Sequence, residues 1–164
     1  MRTPLYWIDT PGPGRLAVLP RPRGGDWLEE EIRALKNDGV DILVSMLTPD
    51  EDSYLELGGE GAEARRQGIQ FHSHPIWDRG IPEKTAPLWT LARELARHHA
   101  DGRSIAAHCR MGIGRSPLML ASILVCRGIS PDDAWAAIGA ARGCIVPDTL
   151  EQRNWLTDTA PPPS

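Results

Sequence analysis

Residues 108–117 read HCRMGIGRSP and place a thiol, Cys109, six positions before a guanidinium, Arg115. Between them stand Arg110, Met111, Gly112, Ile113 and Gly114. Successive backbone N–H groups over residues 110–115 can turn inward and form a nest for an anion. A helix beginning near Ser116 adds the positive end of its dipole to the same place. Gly112 and Gly114 permit the positive φ angles and close backbone approach that a cradle requires. Arg115 supplies a planar, permanently charged fork that grips two oxygens of a phosphate. Cys109 then lies at the base, where the same amides and dipole favour its thiolate and bring its pKa below the free value of ~8.5. The stretch predicts a phosphate cradle with a nucleophile ready at neutral pH.

Cysteine and arginine six apart arise by chance in roughly a third of chains of this composition, so that spacing alone decides nothing. The preceding His108, the following Ser116 and the two glycines lower the chance by roughly three orders of magnitude. Neither Cys126 nor Cys144 has an arginine six residues on.

The elements that must hold this stretch follow from hydrophobic pattern. "LYWID" and "RLAVLPRP" read as strands separated by the turn-rich "TPGPG". Asp26 is the expected cap of a helix through "WLEEEIRALKND", which Gly39 stops. "VDILVSML" and "IQFHSHPI" read as core strands. Between them, residues 48–68 form an acidic, glycine-rich stretch with a short helix at "EGAEARRQG". After the loop "WDRGIPEKTAP", Thr85 is the expected cap of "APLWTLARELARHHA", with Pro87 at the second helical position and Leu88, Leu91, Ala92 and Leu95 on one face. "SIAAH" is a short strand that runs into the cradle. "SPLMLASILVCRG" is apolar on nearly every side and so central. Two more helices follow, one with Ser130 as cap and Pro131 at its first position, one capped by Asp148. Alternating strands and helices predict an α/β fold: a single domain over residues 1–159 with a mostly parallel central sheet flanked by helices, and a disordered tail over 160–164. In such sheets ligands bind at the carboxyl ends of strands, where the cradle lies.

The chain has 164 residues, a net charge of −4 and 41 % apolar residues, which suits one globular domain and argues against a nucleic-acid or anionic-membrane binder. No apolar run reaches bilayer-spanning length, and the proline-broken start is not a signal peptide. The expected setting is the cytoplasm, with no nucleic-acid or membrane partner. Three cysteines without an export signal argue against a disulfide framework. His72, His74, His98 and His99 lack matching ligands nearby, so no metal and no cofactor is expected.

HCRMGIGRS fits H-C-x5-R-[ST] and resembles the signature loop of the cysteine-dependent protein tyrosine phosphatases. The short chain is similar to the dual-specificity branch, including its small bacterial and kinase-associated-phosphatase-like members. The resemblance spans most of residues 5–156. It implies a phosphotyrosine protein phosphatase-like fold and a two-step reaction. Cys109 attacks phosphorus and forms a phosphocysteine, an aspartic acid on another loop protonates the leaving oxygen, and water then releases phosphate. Asp78, in "PIWDRGIP" and 31 residues before Cys109, is the implied acid; "WDRG" is also good turn chemistry. Ser116 resembles the hydroxyl that bonds the cysteine sulfur, and equally suits a helix cap. Gln152 resembles the glutamine that positions the hydrolytic water in some relatives, or is a solvent-facing helix residue. His108 orders the loop by hydrogen bonds or is a core histidine. Arg79 and Arg110 reach substrate beyond the phosphate or are solvated. Cys126 and Cys144 read as buried structural cysteines, or as disulfide partners for an oxidised Cys109.

The implied substrate is a phosphoprotein or a small phosphomonoester. Three other readings use the same cradle. They are a phosphoinositide phosphatase, a sulfur transferase of the rhodanese type or an arsenate reductase, and a phosphoprotein-binding module that keeps the cradle without using it. Arg110 is the one basic residue inside the loop besides Arg115, which disfavours a polyanionic lipid headgroup. The late position of Cys109 disfavours the reductase.

Overall fold

The computed structural model describes residues 2–162. In chain order it contains β1 (Tyr6–Ile8), β2 (Arg15–Leu19), α1 (Leu28–Asn37), β3 (Ile42–Ser45), α2 (Pro49–Tyr54), α3 (Glu60–Arg66), β4 (Gln70–Ser73), α4 (Thr85–Ala100), β5 (Ser104–His108), α5 (Arg115–Cys126), α6 (Pro131–Arg142) and α7 (Leu150–Thr159). One sheet has the order β1-β2-β5-β3-β4, with β1 antiparallel and the rest parallel.

Side chains of a strand alternate between faces, and both faces of this sheet are covered. Leu16, Val18, Ile42, Val44, Ile105 and Ala107 belong to one core cluster with the buried sides of α4, α5, α6 and α7. Ala17, Leu19, Leu43 and Ala106 belong to a second cluster with α1, α3 and the residues leading into β3. β5 lies at the centre, and its last residue, His108, is in register with Leu19 of β2 and Ser45 of β3. Three parallel strands therefore end level with each other, and the chain leaves the middle one at Cys109. Among the described residues no helix is long and apolar enough to cross a membrane.

Several local expectations need correction. Asp26 does not cap α1; a 3-10 turn over Gly25–Trp27 precedes that helix, whose N-cap, Trp27, makes no side-chain cap. The charge of Glu29, Glu30 and Glu31 in the first turn serves the same end. Thr85 is the first helical residue of α4 and not its cap, so Pro87 stands at the third position. Thr149, not Asp148, caps α7, through a capping box with Gln152. "IQFHSHPI" yields only the four-residue β4, half-buried at the sheet edge and not in the core. Residues 48–68 hold two helices, because Thr48 and Glu51 form a capping box that starts α2. Ser130 and Pro131 start α6 as expected. All three thiols are free; Cys126 is half-buried, and Cys144 is exposed on the turn after α6, where no core reaches it. Of the expected disordered tail, residues 163–164 lie outside the described residues.

Candidate active site

The loop leaving β5 is held in shape through the carbonyl oxygens of residues 108–111, each of which accepts a hydrogen bond. Met46 N–H donates to His108 O at 2.9 Å, and Arg21 N–H to Arg110 O at 3.1 Å. His108 Nδ1 bonds Cys109 O at 3.1 Å, and Arg142 Nη2 bonds Met111 O at 3.1 Å. With the carbonyls tied back, the N–H groups of Gly112 and Ser116 turn to the Cys109 sulfur. Gly112 has φ +74°, and a Cβ there would stand 3.0 Å from the Leu19 carbonyl carbon and oxygen. Only glycine fits that close approach to the end of β2.

Cys109 is buried at the floor of the loop, with Sγ 3.2 Å from the Ser116 hydroxyl. Burial alone would push its thiol up. The Ser116 hydroxyl and N–H, the Arg115 charge and the Gly112 N–H outweigh it and bring the thiol below its ordinary value. Ser116 lies in the first turn of α5, fully buried, so it serves the sulfur and not the solvent.

Arg115 is 1 % exposed, and its guanidinium is fixed on several sides. Nη1 donates to Glu51 Oε1 at 2.7 Å and Nη2 to Glu51 Oε2 at 2.9 Å, a bidentate pair. Nη1 also donates to Ile76 O at 2.8 Å, and Nη2 to Asp78 Oδ1 at 3.2 Å. Burial would raise the Glu51 carboxyl, but bonds from Arg115 and from the Thr48 N–H hold it below the usual range. Asp78, 59 % exposed, therefore lies beside Arg115 at the mouth. A cleft of about 290 Å³ opens there, lined by Asp78, Arg79, Cys109, Met111, Arg115 and Asp148 among others.

His108 is fully buried between two partners: Nε2 lies 2.5 Å from Glu60 Oε2, and Nδ1 bonds the Cys109 carbonyl. Burial works against its charge, but Glu60 and the carbonyl prevail and raise its pKa above the ordinary value. His108 thus ties the start of the loop to Glu60 on one side and to the Cys109 carbonyl on the other. Replacing Glu60 by glutamine removes the carboxylate that raises the His108 pKa. The pH profile of Cys109 alkylation by iodoacetamide is then expected to move to higher pH, with slower alkylation at neutral pH; an unmoved profile would show that the His108 charge does not reach the thiol.

Gln152 is fully buried, neither solvent-facing nor free. Its Oε1 accepts from Thr149 N–H at 3.1 Å, and its Nε2 donates to Gly80 O at 3.0 Å. It ties the Asp78 loop to α7 and packs against Gly114. Ile113 is half-buried against the core, and Met111 is exposed. The Arg110 side chain turns to Tyr54, with Nη2 3.3 Å from the phenol oxygen and the guanidinium 5.3 Å from the ring centroid, so its contribution inside the cradle is backbone. Arg79, at φ +62°, lies 3.7 Å from Asp148 across the mouth.

Four site residues were missed in the sequence: Glu51, Tyr54, Glu60 and Arg142. For Glu51 a signal existed, because T-P-D-E at 48–51 is a capping-box pattern that predicts a helix there.

The family model described as "Polymorphic toxin system, DSP-PTPase phosphatase" matches residues 18–129. Cyclin-dependent kinase inhibitor 3 of Rattus norvegicus is 30 % identical over 131 residues, covering 79 % of this chain and 61 % of that protein. The chain thus spans less than two thirds of that relative's length. Protein tyrosine phosphatase PRL-1 of Leishmania major is 32 % identical over 159 residues, covering 92 % of this chain and 78 % of that protein. In fold, the chain is similar to kinase associated phosphatase bearing a serine in place of its catalytic-site cysteine, with a TM-score of 0.84, 24 % identity and coverage of 96 % and 94 % of the two chains. By its cradle, its sheet and these relatives, the chain belongs to the dual-specificity branch of the cysteine-dependent protein tyrosine phosphatases.

Proposed function

We propose that the protein is a phosphomonoester hydrolase acting on phosphotyrosine, and also on phosphoserine or phosphothreonine, of protein substrates, through a phosphocysteine intermediate. The observation that carries this is the meeting of Cys109, Arg115 and Asp78 in one cleft. The Cys109 thiolate attacks phosphorus and a sulfur–phosphorus bond forms as the ester oxygen–phosphorus bond breaks. Asp78 gives its proton to the leaving oxygen. The Arg115 fork and the amides of residues 110–115 take the charge of the equatorial oxygens. Water then attacks the phosphocysteine, its proton passing to Asp78, and the sulfur leaves as a thiolate stabilised by the Ser116 hydroxyl. Gln152 positions the Asp78 loop through Gly80, and His108 orders the cradle. No cofactor or metal is needed in this scheme. Asp78 favours phosphate esters over sulfur transfer, because a departing alkoxide or phenolate needs a proton. The working unit is residues 1–159, and the three free thiols support a cytoplasmic setting.

The test is a series of aryl phosphates hydrolysed with a chelator present. Asp78→Asn is expected to lower kcat by about 10²–10⁴-fold for leaving groups of high pKa, with a much smaller loss for strongly acidic phenols. An equal loss across the series would remove Asp78 as the acid.

A further inference from the structure

A second depression adjoins the catalytic cleft and is not used by the reaction above. It has a volume of about 340 Å³ and lies between the turn joining β3 to α2 and the loop that follows β4. Its walls are mostly apolar, from Pro49, Pro75, Trp77 and Ile81, and two carboxylates, Asp50 and Glu83, stand in its lining with no cation among the lining residues. Trp77 is 70 % exposed and immediately precedes Asp78, so the groove begins where the cleft ends. The peptide at its floor is the one whose Ile76 oxygen binds Arg115.

An indole left so open to water is a large apolar surface awaiting cover, and tryptophan is enriched at the anchor points of protein interfaces. Two exposed carboxylates in the same lining repel an acidic ligand and attract a basic one. The volume is at the small end of the ~300–1,000 Å³ range of ligand pockets, which suits one or two side chains rather than a bulky ligand. A ligand held by its phosphate on Arg115 would extend its neighbouring residues over Asp78 and Trp77.

We propose that this groove is a specificity subsite for a protein substrate. It receives the segment flanking the phosphorylated residue, with an apolar side chain against Trp77 and Ile81 and a basic side chain against Asp50 and Glu83. The proposal rests on the phosphatase reading of Cys109 and names the class of substrate that reading leaves open: a phosphoprotein segment carrying apolar and basic neighbours. The subsite acts on binding and not on the chemical step, so it changes kcat/KM for peptides and leaves flank-free esters alone.

The experiment compares kcat/KM for three matched phosphotyrosine peptides and for an aryl phosphate without flanks. The first peptide carries leucine and arginine beside the phosphotyrosine, the second has the arginine changed to glutamate, and the third has the leucine changed to glycine. The first is expected to exceed the second by about 10-fold at low salt and by less at high salt. Glu83→Lys, with Asp50→Asn as the milder second variant, is expected to shrink that preference at least about fivefold while aryl phosphate turnover stays within about twofold of wild type. Trp77→Ala is expected to remove the advantage of leucine over glycine. An unchanged charge preference in the acid variants, with aryl phosphate turnover intact, would overturn the subsite alone. Faster turnover of phosphoinositide vesicles than of any peptide would overturn the protein substrate. Absence of aryl phosphate turnover in the wild type would instead bring down the phosphatase reading, and the subsite with it.

Discussion

Replacing Cys109 by serine is expected to lower kcat for aryl phosphates by about 10⁴-fold or more, the largest loss of any single change. The sulfur is the proposed nucleophile, and the Ser116 hydroxyl and N–H, the Arg115 charge and the Gly112 N–H all favour its anion. A serine hydroxyl keeps the size of the group but ionises far too weakly for the same amides to deprotonate it. The cradle itself depends on other bonds: Arg21 on Arg110 O, Arg142 on Met111 O and Glu51 on Arg115. The serine variant should therefore keep its Tm and still bind phosphate or vanadate, as measured by calorimetry. Robust turnover by this variant would remove the mechanism.

Arg115→Lys is expected to lower kcat/KM by about 10³-fold, even though the charge is kept. The guanidinium serves Glu51 with both terminal nitrogens, Ile76 O with one and Asp78 with the other. An ammonium cannot hold that planar set of partners, nor present to phosphate the edge formed by Nε–H and the Nη2–H that Asp78 gives up when it turns to the substrate. Glu51→Gln should cost less than the lysine variant, because the arginine remains and only its orientation loosens; its loss should appear chiefly in kcat, with the phosphate affinity less affected. Steady-state kinetics on one aryl phosphate for all three proteins ranks these effects. A lysine variant as active as Glu51→Gln would mean that the fork geometry is unimportant.

What was legible in the sequence was local and periodic. Cys109, Arg115, Ser116 and the glycines share one loop, so their chemistry could be read from ten residues, and the strand and helix on either side follow from apolar runs. The parallel sheet followed from alternation of elements. The partners that tune the site come from elsewhere in the chain: Glu51 is 64 residues from Arg115, and Glu60 is 48 from His108. No spacing rule links carboxylates to cations over such distances; the fold does it, by placing α2 and α3 behind the ends of β3 and β5. The cap of α7 falls one residue after Asp148, at Thr149, because two polar residues compete there, whereas α4 starts one residue early, with Thr85 inside the helix and no side-chain cap at Lys84. Gln152 shows the same limit. Its helical position was clear, but its burial against Gly114 and its bond to Gly80 arise from how α7 docks on the Asp78 loop.

The proposed reaction passes through a covalent phosphoenzyme on Cys109. It is tested most directly by quenching the wild-type protein during turnover of an aryl phosphate and mapping the phosphate by mass spectrometry of its peptides. Phosphate is expected on the sulfur of Cys109, absent from Cys126 and Cys144 and lost in Cys109→Ser. Turnover in burst with no phosphate on Cys109 at any quench time, or with phosphate on another residue, would contradict it.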